Sequence, residues 1–242
     1  MNWNDARIIL HLIRGQARTG SHAQKLEAFY APQAEYYDAF REKLLRGRKE
    51  LIESLNPPPG ASVVELGGGT GRNLLFFSET LSKLGCVEIV DLCPALLKEA
   101  RERTKEYTNV RVVEADATTY RPEQPVDFVY FSYALTMIPD WQGAMKNAHA
   151  MLKPGGTIGV VDFYVSASHP EAGTVKHGTL TRWFWPRWFG HDGVRLNPEH
   201  LPTLRKLFPQ HQCFEHRAPV PYLPGLRVPY YIFVGKKPIS PP

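Results

Sequence analysis

The stretch VVELGGGTGRN, residues 63–73, constrains this 242-residue chain more than any other. A run of apolar, β-branched residues ends in glycines at 67, 69 and 71, where the backbone must turn sharply and lie close to whatever it faces. The spacing is Gly-x-Gly-x-Gly. The third glycine of a Gly-x-Gly-x-x-Gly loop is missing, and Arg72 stands in its place. Glu65 sits just ahead of the loop, where its charge opposes a pyrophosphate and suits a cationic ligand instead.

Short apolar runs and helical patterns alternate from there on. ASVVEL (61–66), VEIVDL (87–92), NVRVVEAD (109–116), VDFVYFSY (126–133) and TIGVVDFY (157–164) read as strands. A helix follows the glycine loop, a second opens at Pro94, and WQGAMKNAHAMLKPGG forms a third that stops at Pro154-Gly155-Gly156. This alternation predicts right-handed βαβ units, and so an α/β, doubly wound, mostly parallel sheet with helices on both faces. CFEHRAPV and VPYYIFVGKK, near the C-terminus, predict an antiparallel pair.

Acidic residues at successive strand ends point to one cleft. Asp91 can accept hydrogen bonds from two ribose hydroxyls. Asp116 can accept from an exocyclic adenine amine, and Ala117 offers a backbone N–H beside it. Ser132 and Tyr133 end the fourth strand, where a ligand crossing the sheet would pass. Each is an ordinary surface residue taken alone; the conjunction carries the reading.

Composition narrows the class. With 43% apolar and 22% charged residues the chain reads as a soluble globular protein. No run approaches the roughly 20 uncharged apolar residues of a membrane span, and IILHLI is too short for a secretory signal. Cys86, Cys93 and Cys213 form no CxxC or metal spacing, and the histidines form no ligand pair, so no metal and a reducing cytoplasm are expected. The net charge of +5 is uneven: residues 1–50 hold nine Lys/Arg against six Asp/Glu, residues 165–242 ten against four, and the middle is acidic. Basic flanks suit an anionic partner, although solvated surface charge explains them equally well.

Residues 60–165 resemble the class I S-adenosylmethionine-dependent methyltransferases, on VVELGGGTGRN, the acids at 91 and 116, and LKPGGTIGVVDF (152–163). The resemblance implies a Rossmann-like seven-stranded sheet and S-adenosylmethionine as cofactor. Carried over residue by residue, it implies Glu65, Gly67, Gly69, Asp91, Leu92, Asp116, Ala117 and Ser132 as the cofactor site. FYAPQAEYYDAFREKLLRGR (29–48) resembles the lid that such enzymes place before strand one. Its Tyr37 either reaches the cofactor carboxylate or packs, and Tyr30 falls on the substrate side. An N-terminal lid and membrane-contact segment over 1–55 then precedes a methyltransferase domain over 56–242.

The acceptor is read from the last third. Enzymes that methylate exocyclic base amines carry Asp/Asn-Pro-Pro-aromatic after strand four, where this chain has FSYALTM, so nucleic acid is not expected. ELGGGTGRNLLFF, VDLCPALLKEARER, DFVYFSYALTMIPDW, LTRWFWPRWFGHDGV and VPYLPGLRVPYYIFVGKK together resemble the betaine-lipid-forming methyltransferases over roughly residues 20–237. That implies three methyl transfers to the amine of diacylglyceryl-homoserine at the anionic inner face of the membrane, with an aminocarboxypropyl transferase as partner. Phosphatidylethanolamine, another small amine, or a quinone is the alternative acceptor, and a non-catalytic membrane- or RNA-binding module that keeps the cofactor fold is the alternative from another class.

An aromatic and basic insertion over 165–200 holds Trp183, Phe184, Trp185, Trp188 and Phe189 beside Arg182, Arg187 and His191. Three roles fit it: docking on lipid, caging the ammonium by cation–π contact with Trp185, or packing on the sheet. NWNDARIILHLIR (2–14) has one basic and one apolar helical face, suited to a lipid interface or to capping the domain. Tyr133, Asp162, Tyr164, His177 and His191 are the polar candidates for handling the amine, and Arg182 or Arg227 for the headgroup carboxylate.

Overall fold

The alternating runs form seven strands in the order β3-β2-β1-β4-β5-β7-β6. The structure, a computed structural model, describes residues 20–30, 42–191, 193–221, 223 and 225–239. Tyr37 and the 2–14 segment lie outside the described residues. The strands are β1 Ser62–Leu66, β2 Cys86–Asp91, β3 Val110–Glu114, β4 Val126–Ser132, β5 Leu152–Phe163, β6 Gln210–Pro219 and β7 Arg227–Lys236. The helices are α1 His22–Tyr30, α2 Arg48–Leu55, α3 Pro94–Thr104, α4 Trp141–Met151, α5 Thr179–Gly190 and α6 His200–Leu207.

β1 to β5 pair in parallel, with Val63 opposite both Val87 and Phe128, while β7 runs antiparallel to β5 and to β6. Side-chain alternation builds two layers. Val63, Tyr130, Val161 and Phe163 face one side, against Leu51 and Ile52 of α2, Leu97 of α3, and Trp185 and Phe189 of α5. Val64, Leu66, Val160 and Tyr164 face the other, against Met145 of α4 and Leu201 and Leu204 of α6. Strand order reverses between β1 and β4, and a doubly wound sheet opens a ligand crevice at the carboxyl ends of such strands.

One element differs from expectation. Residues Arg72–Lys83 after the glycine loop form 3₁₀ turns broken at Ser78, whose φ is 50° and ψ −131°, and not one α-helix. Leu74, Phe77 and Leu81 still enter the core, and the Asn109 amide donates to the Leu81 and Leu84 carbonyls that the loose winding leaves over. The long connection from β5 to β6 carries α5 and α6. No helix among the described residues is long and apolar enough to cross a membrane.

Candidate cofactor cleft and acceptor side

The loops after β1, β2, β3 and β4, with α1 above them, enclose a cleft with about 950 Å³ of space, its open mouth included. Gly67 shows why the loop after β1 needs glycine: its φ is 72°, and a Cβ there would stand 2.5 Å from the Ala134 Cβ in the loop after β4. The two loops that meet at the switch point thus pack with the Gly67 backbone against the Ala134 methyl.

Two carboxylates are held by main-chain donors on the cleft wall. Asp91 accepts from the Gly69 amide at 2.8 Å with one oxygen and from the Cys93 amide at 2.9 Å with the other. Asp91 lines the cleft, where a carboxylate can accept from a ligand diol. Asp116 takes the Thr118 amide at 2.8 Å and the Thr118 hydroxyl at 2.7 Å on one oxygen. Leu92, Leu96, Ala117, Met137 and Ile138 supply an apolar slot between them, and Leu26 and Tyr30 of α1 cover it. This donor set, two oriented acids flanking an apolar slot, fits the ribose and adenine of S-adenosylmethionine.

Two of the expected cofactor residues sit elsewhere. Glu65 does not line the cleft: it is fully buried under the loop, accepting from the Asn73 amide at 2.5 Å and the Tyr130 hydroxyl at 2.8 Å. Arg48 reaches the same cluster by donating to the Asn73 side chain at 3.2 Å. Glu65 therefore braces Gly68, whose Cβ would lie 3.1 Å from the Glu65 Cγ. Ser132 shares that inner face and is buried as well. Both belong to strands, whose alternation turns them under the loop; residues beyond the strand ends reach the opening.

The wall toward β5 is built around Tyr133. It lines the cleft with a φ of 55°, an uncommon conformation for a bulky residue and one that often marks functional sites. Its hydroxyl donates to the Arg46 carbonyl at 2.6 Å, and burial pushes its pKa well above the ordinary tyrosine range, so it keeps its proton. Tyr133 is thus a shaped wall, not a base. Asp162 is likewise no base in the cleft. It is buried on the opposite face, where it accepts from the Thr136 amide at 3.1 Å, the Thr136 hydroxyl at 2.8 Å and the Phe163 amide at 2.8 Å. It pins the loop that carries Tyr133 to Ile138, and burial raises its carboxyl to about 7 despite these donors.

Aromatic contacts run outward from that wall. Tyr133 packs on Phe163 at 4.6 Å, Phe163 stacks on Phe189 at 4.9 Å, and Phe189 meets Trp185 at 5.6 Å. Trp185 is buried, so it packs α5 onto the sheet and does not cage a ligand. The outer face of α5 is different: Leu180, Trp183 and Trp188 are 74%, 54% and 46% exposed, and the Arg187 guanidinium lies 4.7 Å over the Trp183 ring.

The other polar candidates are absorbed by the fold or stand apart. Tyr164 donates to Glu215, which pairs with Arg205 at 3.7 Å, on the face away from Tyr133. His177 Nδ1 accepts from the Ser166 amide at 3.0 Å, and burial lowers its basicity to about 4, so it is neutral. Arg182 lies in the first turn of α5 with its Nε buried. His191 sits exposed at the C-terminal end of α5, and Arg227 is exposed at the start of β7. None of the five lines the cleft. Sequence reasoning missed Leu26, Thr118, Met137, Ile138 and Asp140, which do. Thr118 had a signal, since Asp-Ala-Thr closes a side-chain turn; the apolar residues had none. Among the described residues no three His, Cys, Asp or Glu side chains gather as a metal site.

Comparison with known proteins agrees with this geometry. Residues 63–156 match the methyltransferase domain family. A 2-phytyl-1,4-naphthoquinone methyltransferase of Thermosynechococcus vestitus is 26% identical over 222 residues, 83% of this chain and 95% of that protein. A ubiquinone/menaquinone biosynthesis C-methyltransferase of Shewanella woodyi is 32% identical over 120 residues, 48% of each chain. The fold matches that of phosphoethanolamine N-methyltransferase 2 of Haemonchus contortus, with a TM-score of 0.69 at 16% identity over 91% of this chain and 61% of that one. Residues 63–156 thus match a methyltransferase domain, and the sheet order and the cleft around them are those of a Rossmann-like methyltransferase fold.

Proposed function

We propose that the protein methylates the amine of diacylglyceryl-homoserine three times, forming the betaine lipid diacylglyceryl-trimethylhomoserine at an anionic membrane surface. The carrying observation is α5: anchored through Phe189 and Phe163 to the Tyr133 wall of the cleft, it turns Leu180, Trp183 and Trp188 to solvent beside Arg187. An exposed aromatic–cationic face is costly in water and suits the lipid interface, where such rings and guanidinium groups settle at headgroup level. The sequence of that segment is also where the resemblance to the betaine-lipid-forming enzymes is most distinctive.

S-adenosylmethionine supplies an electrophilic methyl group on sulfur when bound. In this reading Asp91 holds the ribose, Asp116 the adenine amine, and the backbone at Gly67 and Gly69 the methionine end. Alignment of acceptor and methyl contributes most of the rate, so the rigid wall from Tyr133 to Ile138, pinned by Asp162, is central. The acceptor ammonium must give its proton to solvent before attack, and a water-poor environment at the reacting end favours the neutral amine. Arg182 or Arg227, both outside the cofactor cleft, is assigned the headgroup carboxylate, and the N-terminal segment a second membrane contact.

A second reading has its own support: the relative matched over 95% of its length is named for a phytylated naphthoquinone. Purified protein would be given S-adenosylmethionine and mixed micelles of diacylglyceryl-homoserine, phosphatidylethanolamine or a prenylated naphthoquinone, with methyl groups counted by mass spectrometry. Mono-, di- and trimethylated homoserine lipid, with the other two untouched, is the expected result. Transfer to the quinone alone would establish the second reading, and transfer to neither would sink both.

A further inference from the structure

The structure assigns Glu27, on α1, a role as the positioning residue that latches this helix over the cofactor cleft. Helix α3 begins three residues beyond Asp91, with Cys93 at its N-cap and Pro94 at its first position. Cys93 makes no capping hydrogen bond to its own helix, so α3 lacks the local side-chain acceptor that usually satisfies a first-turn amide. The acceptor arrives from α1. The Glu27 carboxylate receives the Ala95 amide at 3.2 Å and the Cys93 thiol at 3.1 Å. A carboxylate at a helix N-terminus also meets the positive end of the helix dipole, which strengthens the contact.

Around that bond α1 buries its apolar side. Leu26 and Tyr30 pack against Cys93 and Leu96, with Leu92, Ala95 and Met137 alongside, and Leu26, Tyr30, Leu92, Leu96 and Met137 also line the cleft. The latch continues to the ligand-facing acid: the Cys93 amide donates to the Asp91 oxygen opposite the one that holds Gly69. Seating of α1 and orientation of Asp91 are thereby coupled through one turn of backbone. A bound nucleoside under α1 leaves only when this contact opens, so Glu27 sets the residence of the cofactor and not the chemical step.

The protein carries its own reporter. Cys93 is fully buried beneath α1, and burial with the nearby Glu27 charge pushes its thiol up to about 12. It reacts with an alkylating reagent only when the latch opens. The inference rests on the cleft being the S-adenosylmethionine site, and the test separates the two. In cofactor-free protein, Glu27→Ala is expected to raise the Cys93 iodoacetamide labelling rate about five- to tenfold, read by peptide mass spectrometry, since losing a capping acceptor has an effect of that order. Calorimetric Kd for S-adenosylhomocysteine and KM for S-adenosylmethionine should rise by a similar factor, with kcat at saturation within about twofold. Glu27→Gln keeps one acceptor oxygen and should fall between.

A folded Glu27→Ala protein with wild-type Cys93 labelling and wild-type S-adenosylhomocysteine affinity overturns the proposal. Should Glu27→Ala not fold, the wild type decides: S-adenosylhomocysteine must slow Cys93 labelling, and labelling unchanged at saturating ligand overturns the latch. Failure of the wild type to bind S-adenosylhomocysteine at all would instead remove the cofactor assignment, and Cys93 labelling in Glu27→Gln would still judge the contact.

Discussion

The two ends of the sheet use polar side chains in opposite ways. Around β2, β3 and the glycine loop, carboxylates are oriented by main-chain amides and left facing an opening, as Asp91 is by Gly69 and Cys93. Around β5, β6 and β7, polar side chains consume one another: Tyr164 with Glu215, His177 with Ser166, Asp162 with Thr136. What the second end presents outward is apolar, in Leu180, Trp183 and Trp188. The first end is prepared for a polar ligand of fixed shape, with directional bonds ready before it arrives. The second offers area and little direction, as suits an acceptor whose bulk is hydrocarbon.

Asp162 joins the two ends, and its titration is the strongest way to break the comparison. Burial raises its carboxyl from 3.8 to about 7 in the folded protein. Between roughly pH 4 and 7 the native state therefore keeps a proton that the unfolded chain releases, and stability falls as pH rises through this window and levels above it. A shift of that size corresponds to an effect on the order of a few kcal/mol. His177 and His200, each lowered to about 4 by burial, act in the opposite sense, losing stability as pH falls from about 6.5 toward 4. Urea unfolding of Asp162→Asn beside wild type isolates the first contribution: the variant should lose the decline toward neutral pH, and parallel curves would show an ordinary carboxylate.

Asp91→Ala tests the prepared end directly. It removes an acceptor from the ligand and leaves the Gly69 and Cys93 amides without theirs, so S-adenosylhomocysteine affinity should drop about 100-fold, as expected when one or two charged hydrogen bonds are lost. Calorimetry reads it; a drop below fivefold would mean that the carboxylate only shapes the loop.

How far these ends could be read from sequence follows from the same difference. The strand positions, their parallel pairing, the glycine turn and Asp91, Asp116 and Ala117 are legible because a parallel βα unit sends residues beyond a strand end to one edge of the sheet. Glu65 and Ser132 were misplaced by one step of the strand period, which turned them beneath the loop instead of over it. After β5 the rule lapses. The connection to β6 is long, β7 returns antiparallel, Tyr164 finds its partner Glu215 51 residues away, and His177 turns back on Ser166 within the irregular connection itself. The exposed and buried Trp of α5 differ only by helical phase, which a run of five aromatics in seven positions hides.

Replacing Trp183 and Trp188 by Ser sharpens the comparison from the apolar end. Both rings are about half exposed, so stability should change by no more than about 0.5 kcal/mol per site. Retention on anionic vesicles, followed by co-sedimentation, should weaken about tenfold through lost interfacial anchoring. S-adenosylhomocysteine affinity should be unchanged. Equal retention of the double variant would return α5 to a purely packing element.

Ser132 carries the smallest expected effect and the finest distinction. Its hydroxyl is buried at the end of β4 and has no hydrogen-bond partner among the described residues. A buried hydroxyl without a partner costs about 1–3 kcal/mol of desolvation, only part of which a methyl group recovers. If Ser132 belongs to the inner face with Glu65 and Tyr130, Ser132→Ala should raise stability by up to about 1 kcal/mol and leave cofactor affinity within twofold. Its β4 neighbour Tyr133 already supplies the cleft wall, so no surface is lost. A loss of cofactor affinity of about fivefold or more, with stability unchanged, would instead mean that the hydroxyl turns toward the ligand when the cleft is filled. The boundary between the prepared opening and the self-satisfied interior would then lie one residue deeper along β4.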